Sequence, residues 1–202
     1  MIFFYQFLFL VFSYLIASIP FGYLLAKKYA KIDIREHGSK NIGATNVMRL
    51  AGKKLAFFTL ILDGFKGAFM IIIARFMFYD VNNLHLFLVL IGSVCVLGHI
   101  YSVYLNFKGG KGVATAIAVL LSLDFAVGML AICFWILTFC ACRISSISSL
   151  VAIFSTVILS SAYGAPTSQI VFCLGLFVLI FVRHRENILR IMTGEESKFN
   201  KK

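Results

Sequence analysis

Three short polar segments in an otherwise apolar chain carry the residues suited to chemistry, and all three are suited to holding anions. The first runs Gly38-Ser39-Lys40-Asn41-Ile42-Gly43-Ala44-Thr45-Asn46 and is followed by Arg49. Glycine permits close ligand approach, Ser39, Asn41, Thr45 and Asn46 offer neutral donors, and Arg49 offers a planar fork that matches phosphate oxygens. The second, Phe107-Lys108-Gly109-Gly110-Lys111-Gly112, leads into an apolar stretch at Val113, with Gly98-His99 upstream. Consecutive glycine amides can form an anion nest, and a helix starting at Val113 adds partial positive charge at the same point. This is not a nucleotide P-loop, because Leu105 and Gly112 stand where that motif needs glycine and a hydroxyl residue.

The third segment is Arg183-His184-Arg185-Glu186-Asn187-Ile188-Leu189-Arg190. On one continuous helix Arg183, Asn187 and Arg190 share a face, with His184 about 100° away. The dense cationic setting favours a neutral imidazole at His184. Arg143 followed by Ser145, Ser146, Ser148 and Ser149 adds hydroxyls that can cap a helix or donate to an anion. Plainer readings exist for each segment: a solvated loop, a flexible basic turn, a stop-transfer cluster. Three glycines in four positions do not suit an ordinary helix start, however, and a stop-transfer cluster has no need of interleaved His and Asn.

These segments must be positioned by helices in a bilayer. The chain has 202 residues, 61% hydrophobic and 13% charged, with 22 phenylalanines and two prolines, far more apolar than a water-soluble domain of this length. Ile2 to Leu25, Leu55 to Phe78 and Leu84 to Leu105 each reach the ~20 residues needed to cross about 30 Å of hydrocarbon. None alternates as barrel strands do. The first stretch lacks leading basic residues and a small-x-small cleavage site, so it reads as a retained span. Asp63 and Lys66, beside Gly64 and Gly67, form an expected pair inside the second stretch, with substrate contact as the second reading. Cys95, Cys133, Cys140, Cys142 and Cys173 lack zinc-site spacing and read as buried packing residues. No metal or cofactor is expected.

The net charge of +11 raises nucleic acid as a partner, but charge placement points to the bilayer instead: seventeen of the 19 basic residues sit beside apolar stretch ends. Placing every basic cluster on the cytoplasmic side puts the N-terminus outside and the C-terminus inside. Parity then requires Val113 to Cys142 to be split at Asp124, with later spans at about Ser146 to Tyr163 and Thr167 to Val182. The expectation is an all-α, seven-span single domain over residues 1–202. Its fourth helix, Val113 to Leu123, rises only ~17 Å, so the glycine-rich loop before it sinks into the membrane, where irregular backbone must line a cavity or be buried in protein.

Taken in order, the three motifs resemble the bacterial acyl-phosphate:glycerol-3-phosphate acyltransferase family, from Ser18 to Glu196. That family's first motif usually reads Gly-Ser-Gly-Asn, where this chain has Lys40. A proline commonly follows the Gly-His pair by three, where this chain has Ser102, and the Gly-Thr-Glu-like element is Gly194-Glu195-Glu196. The resemblance implies a seven-span inner-membrane enzyme that makes 1-acyl-glycerol-3-phosphate from acyl-phosphate and glycerol-3-phosphate. By motif, Ser39, Lys108, His184 and Asn187 would be catalytic. Asn41, Thr45, Asn46, Arg49, Gly109, Gly110, Lys111, Gly112, Arg143, Ser146 and Arg183 would bind the two phosphates.

Such a donor is already activated, so cationic loops that bring two dianions together do most of the work. The proton would go to a substrate phosphate oxygen or to His184. The His-x-x-x-x-Asp signature of other glycerol acyltransferases is absent, since Ile42, Leu90, Tyr104 and Leu189 follow the four histidines by five. The alternative class, a small membrane anion or phosphate transporter, would show internal symmetry or binding segments from both sides of the bilayer. The sequence shows neither.

Overall fold

Pro20 interrupts the first apolar stretch, because proline has no N–H to give and its ring clashes with the preceding turn. The structure, a computed structural model, describes residues 1–199; Lys201 and Lys202, counted above with the basic tail, lie outside the described residues. Every regular element among them is helical, as the apolar pattern requires of a chain that buries its backbone in lipid. The chain forms two compact units, one from Met1 to Leu123 and one beginning at Asp124.

In the first unit α1 (Ile2–Ser18) stops before Pro20, and α2 (Phe21–Leu25) runs on into a π-helical turn over Ala26–Ala30. That turn ends at Lys31, whose φ is +58°. The polar segment that follows leads into α3 (Ala44–Ala51), α4 (Lys53–Met77) and α5 (Leu84–Ile100). A single 3-10 turn, Val103–Leu105, precedes the glycine loop and α6 (Val113–Leu123). α3 is a departure from expectation: the segment between the first two apolar stretches read as loop, yet Val47 is fully buried beside Ile34, Ile42, Ala56 and Leu105. This small apolar cluster seats the first motif on the foot of α4.

The break at Pro20 leaves backbone carbonyls without helical partners, and other segments supply them. Ser102 Oγ donates to the Ser18 carbonyl at 2.5 Å and Lys66 Nζ to the Ile19 carbonyl at 2.8 Å. Lys66 also pairs with Asp63 at 3.0 Å, with both side chains almost wholly buried, so the expected ion pair exists. Arg75 reaches out of α4 to the Ser122 carbonyl at the end of α6. Gly64 and Gly67 let α6 lie directly on α4: a methyl on Gly67 would stand 2.9 Å from Thr115 Cγ2 and from Val119 Cγ2. Small residues at such a crossing are how membrane helices gain close packing.

The second unit contains α7 (Phe125–Cys142), α8 (Ser145–Ala162), α9 (Thr167–Arg183) and α10 (Arg185–Met192). Asp124 caps α7 by accepting from the Val127 amide at 3.1 Å. The expected split at this residue is therefore real, with an N-cap as its cause. Arg143 makes the turn into α8 in the left-handed region, at φ +59°. The serines that open α8 do not cap it; Ser148 and Ser149 donate back to Ile144 and Ser145 carbonyls. Along the helices Cys95 and Cys173 are buried as expected, but Cys133 and Cys140 are exposed on α7, a face that lipid rather than protein would cover.

By length and composition, five helical segments suffice to cross a bilayer: Ile2–Ala30, Lys53–Met77, Leu84–Leu105, Phe125–Cys142 and Ser145–Ala162. The pair α9 and α10, bent by 60° at His184, has the form of a broken span or a re-entrant loop and gives a sixth only when counted as one span, and Val113–Leu123 is a shorter apolar helix. The bend corrects the reading of one continuous helix through the third motif: Arg183 belongs to α9, whereas Asn187 and Arg190 belong to α10.

Gly67→Val should destabilise the first unit by about 1–3 kcal/mol, the usual cost of overpacking. Thermal unfolding in detergent reads it; a midpoint equal to that of the unaltered protein would contradict the close packing described.

Candidate active site

Asn46 organises the first motif. It is 1% exposed, and its Nδ2 donates to the carbonyls of Ile34, His37 and Asn41 at 3.0, 3.2 and 2.9 Å. Its Oδ1 accepts from the Ser39 amide at 3.0 Å. With both amide hydrogens engaged, Asn46 holds the loop in shape and has none to offer an anion, which corrects its expected role as a phosphate ligand. Asn41 makes a tight turn, its Oδ1 accepting from the Gly43 amide at 2.8 Å. Lys40 sits at φ +55°, where a non-glycine residue costs about 1–2 kcal/mol, so the loop makes a left-handed turn that glycine would adopt without that cost.

Ser39 on this loop and Thr45 in the first turn of α3 are partly buried, and Arg49 is exposed on α3, which leaves the cation accessible from solvent. Gly22, not singled out from sequence, is what lets the loop settle: a methyl there would overlap the Ile42 carbonyl and stand 2.8 Å from Thr59 Cγ2. Arg35 is committed elsewhere. It pairs with Asp33 at 2.6 Å and lies over the Tyr23 ring at 4.3 Å, and its hydrogen bonds hold the Asp33 carboxyl down to about 2.

The second motif folds back on the end of α5. The Gly109 amide donates to the Ile100 carbonyl at 2.9 Å and the Gly110 amide to the His99 carbonyl at 3.0 Å. A methyl on Gly110 would overlap the His99 ring, and one on Gly109 would overlap the His99 carbonyl. These two glycines are therefore required for close packing, and their amides do not form the open nest that the sequence suggested. Lys108 is exposed, and the Lys111-Gly112 entry to α6 opens a helix whose first-turn amides have no carbonyl partner within the helix. Gly112 makes this entry at φ +86°.

The second unit builds a separate corner around a residue that the sequence reading left out of the site, Glu196. Its Oε1 accepts from Ser146 Oγ at 2.8 Å and from Asn187 Nδ2 at 2.6 Å, and its Oε2 from Arg190 Nε at 2.8 Å. Two residues expected to face substrate phosphate, Ser146 and Asn187, thus donate to a carboxylate of the chain itself. The Phe199 amide also donates to the Arg143 carbonyl at 2.9 Å, so the tail straps the start of α8. His184 is 2% exposed, and its Nδ1 lies 2.8 Å from the Ile180 carbonyl. A carbonyl only accepts, so Nδ1 carries a proton and Nε2 is the nitrogen whose protonation can change. Arg183 is partly buried at the end of α9.

One histidine–carboxylate contact stands among the described residues' ion pairs, and it is not local in sequence: His99 Nδ1 lies 3.7 Å from Asp63 Oδ1, with side chains 5% and 3% exposed. It faces α4 under the glycine loop.

Burial alone would push the Glu196 carboxyl up, but donation from Asn187, Arg190 and Ser146 outweighs it and holds the group below the usual glutamate range. A depressed carboxyl stabilises the fold above its unfolded value, and that contribution is lost as pH falls through the folded one. Hydrogen exchange of residues 193–199 should therefore accelerate on acidification below about pH 4. In Glu196→Gln the acid-dependent step should vanish; an identical pH profile in the two proteins would contradict the assignment.

Comparison with known proteins bears on all of this. The family model for glycerol-3-phosphate acyltransferase matches residues 7–194. A glycerol-3-phosphate acyltransferase of Jannaschia sp. (strain CCS1) is 43% identical over 190 residues, covering 94% of this chain and 90% of the relative. That of Caulobacter vibrioides (strain NA1000 / CB15N) is 44% identical over 190 residues, covering 94% and 86%. Crystal structures of PlsY (YgiH), an integral membrane glycerol 3-phosphate acyltransferase, are similar in fold at 37% sequence identity. The glycerol 3-phosphate form has a TM-score of 0.90 and covers 96% of each chain. The lysophosphatidic acid form has a TM-score of 0.87 and covers 96% and 95%. With apolar helices throughout, two polar motifs in the first unit and a third in the second, and relatives matched over nearly their whole length, the chain belongs to the glycerol-3-phosphate acyltransferase family of integral membrane proteins.

Proposed function

We infer that the protein transfers a fatty acyl group from acyl-phosphate to the 1-hydroxyl of glycerol-3-phosphate, giving 1-acyl-glycerol-3-phosphate and inorganic phosphate. The observation that carries the choice of donor is the setting of His184. Its Nδ1 is held by a backbone carbonyl, not by a carboxylate that would raise its basicity, so the site is poorly equipped to activate a hydroxyl against an unactivated acyl donor. A mixed anhydride needs less. The hydroxyl oxygen forms a bond to the acyl carbon, the bond from that carbon to the phosphate oxygen breaks, and phosphate leaves with the electron pair. The hydroxyl proton passes to a substrate phosphate oxygen, and His184 donates to the developing charge only in the form protonated at Nε2 as well.

In this reading Arg49, Ser39, Asn41 and Thr45 serve one phosphate, and Lys108 with Lys111, Gly112 and the start of α6 serve the other. On the second unit the candidate residues are Arg143, Arg183, His184 and Asn187, the last two oriented by Ile180 and Glu196, and residues 1–202 are proposed to serve a single activity. Gly109 and Gly110 shape the loop. Fixed cations and helix-start amides act where charge develops on the carbonyl and leaving oxygens, which is where preorganised donors contribute most.

The basic residues favour a bacterial cytoplasmic-membrane protein with the motifs inside. Counting α6 and the bent α9–α10 pair as spans gives seven, with the N-terminus outside. An impermeant thiol reagent applied to intact cells should modify Asp80→Cys and spare Glu36→Cys, each in a chain stripped of its natural cysteines; the reverse pattern would invert the orientation.

Purified protein should form lysophosphatidate from labelled glycerol-3-phosphate with acyl-phosphate and not with acyl-coenzyme A. Arg49→Ala and Lys108→Ala should each lower kcat/KM about 100-fold or more, as expected for losing a charged donor, while His184→Ala keeps measurable turnover. Product from acyl-coenzyme A alone would refute the donor, and complete loss in His184→Ala with binding intact would make it the base.

A further inference from the structure

Three ionisable side chains lie inside the first unit, away from the polar loops: Asp63 and Lys66 on α4 and His99 on α5, each 2–4% exposed. Burying them in a membrane span is costly enough to call for a reason beyond packing. Lys66 has one already, since it satisfies the Ile19 carbonyl left by Pro20. Asp63 and His99 do not share that task.

We propose that Asp63, Lys66 and His99 are positioning residues that fix the glycine loop and the start of α6 from beneath. Asp63 grips the loop's two ends. Its carboxylate faces His99 Nδ1 at 3.7 Å, and the opposite edge of that ring is what a methyl on Gly110 would overlap. Its backbone carbonyl accepts from Thr115 Oγ1 at 2.7 Å, in the first turn of the helix that the loop enters. The His99 carbonyl receives the Gly110 amide at 3.0 Å. Lys66, 3.0 Å from Asp63 and 2.8 Å from the Ile19 carbonyl, holds the carboxylate in place. The imidazole is covered by Gly110, so this pair does not meet substrate as an acid–base dyad. It sets the height at which Lys108 and the first α6 amides stand. The inference rests on the acyl-phosphate reading, in which that loop serves one of the two substrate phosphates.

The test is a coupling experiment on the full chain in detergent, with KM for both substrates, kcat and the melting midpoint measured for each variant. His99→Ala and Asp63→Asn should raise KM for one substrate, the same in both variants, about tenfold and leave KM for the other within about twofold, a split that general loosening would not give. Gly110→Ala should lower kcat/KM about 100-fold in the native background and less than about fivefold when His99 is already alanine, because the clashing ring is gone; such non-additivity marks residues in contact. His99→Gln, which keeps a polar side chain of similar length, should recover part of the KM lost in His99→Ala and serves as the deciding variant if Asp63→Asn does not fold. Additive effects of Gly110→Ala and His99→Ala, or equal rises in both KM values, overturn the proposal. Should the unaltered protein not use acyl-phosphate, the donor reading fails instead, and the two failures are distinct.

Discussion

A backbone carbonyl inside hydrocarbon has no water to turn to, and the first unit is arranged around that constraint. Pro20 opens α1 at a point where the chain is enclosed, exposing the Ser18 and Ile19 carbonyls, and the donors that meet them come from α4 and from the turn after α5. Those two contacts bring Lys66, midway along α4, and Ser102, just past the end of α5, to the same place, between the two helices that carry the glycine loop's supports. The intramembrane lysine would be expensive anywhere else. Here one cation satisfies a carbonyl and a carboxylate together, so the charge is matched and the helix break is closed.

The loops that bear the anion-binding residues are rigid for a related reason: their polar atoms are spent on one another. Asn46 closes the first loop through four contacts to backbone atoms, and Glu196 closes the corner of the second unit by gathering Ser146, Asn187 and Arg190. In both cases a residue type able to bind phosphate instead binds protein. In the proposed function arginine and lysine side chains such as Arg49 and Lys108 meet substrate, while amides and carboxylates hold the frame. Preorganisation of this kind is what electrostatic catalysis requires, since donors that must first reorient return part of what they contribute.

Helix positions were legible because hydrophobic runs and charge parity are properties of local sequence. The split at Asp124 followed from parity and is made physical by the cap to Val127; expected spans such as Leu55 to Phe78 differ by a residue or two from α4. Roles that depend on distant partners were not legible. Asn46 reads the same as ligand or as hub, because an amide offers the same atoms to phosphate and to carbonyl. Gly109 and Gly110 read as a nest because glycine serves both open amides and tight packing, and only the nearness of His99 separates the two. His99 itself finds Asp63 across 36 positions, and Ser146 finds Glu196 across 50, separations at which no spacing rule operates. The bend at His184 was hidden for another reason: Arg, His and Asn fit the periodicity of a straight helix as well as that of a broken one.

The tail contact at Glu196 makes the second unit sensitive to its own completion. A chain cut before that residue would keep all four helices of the unit and lose the carboxylate that ties Ser146, Asn187 and Arg190 together, leaving a hydroxyl, an amide and a guanidinium to water or lipid headgroups beside a bent helix.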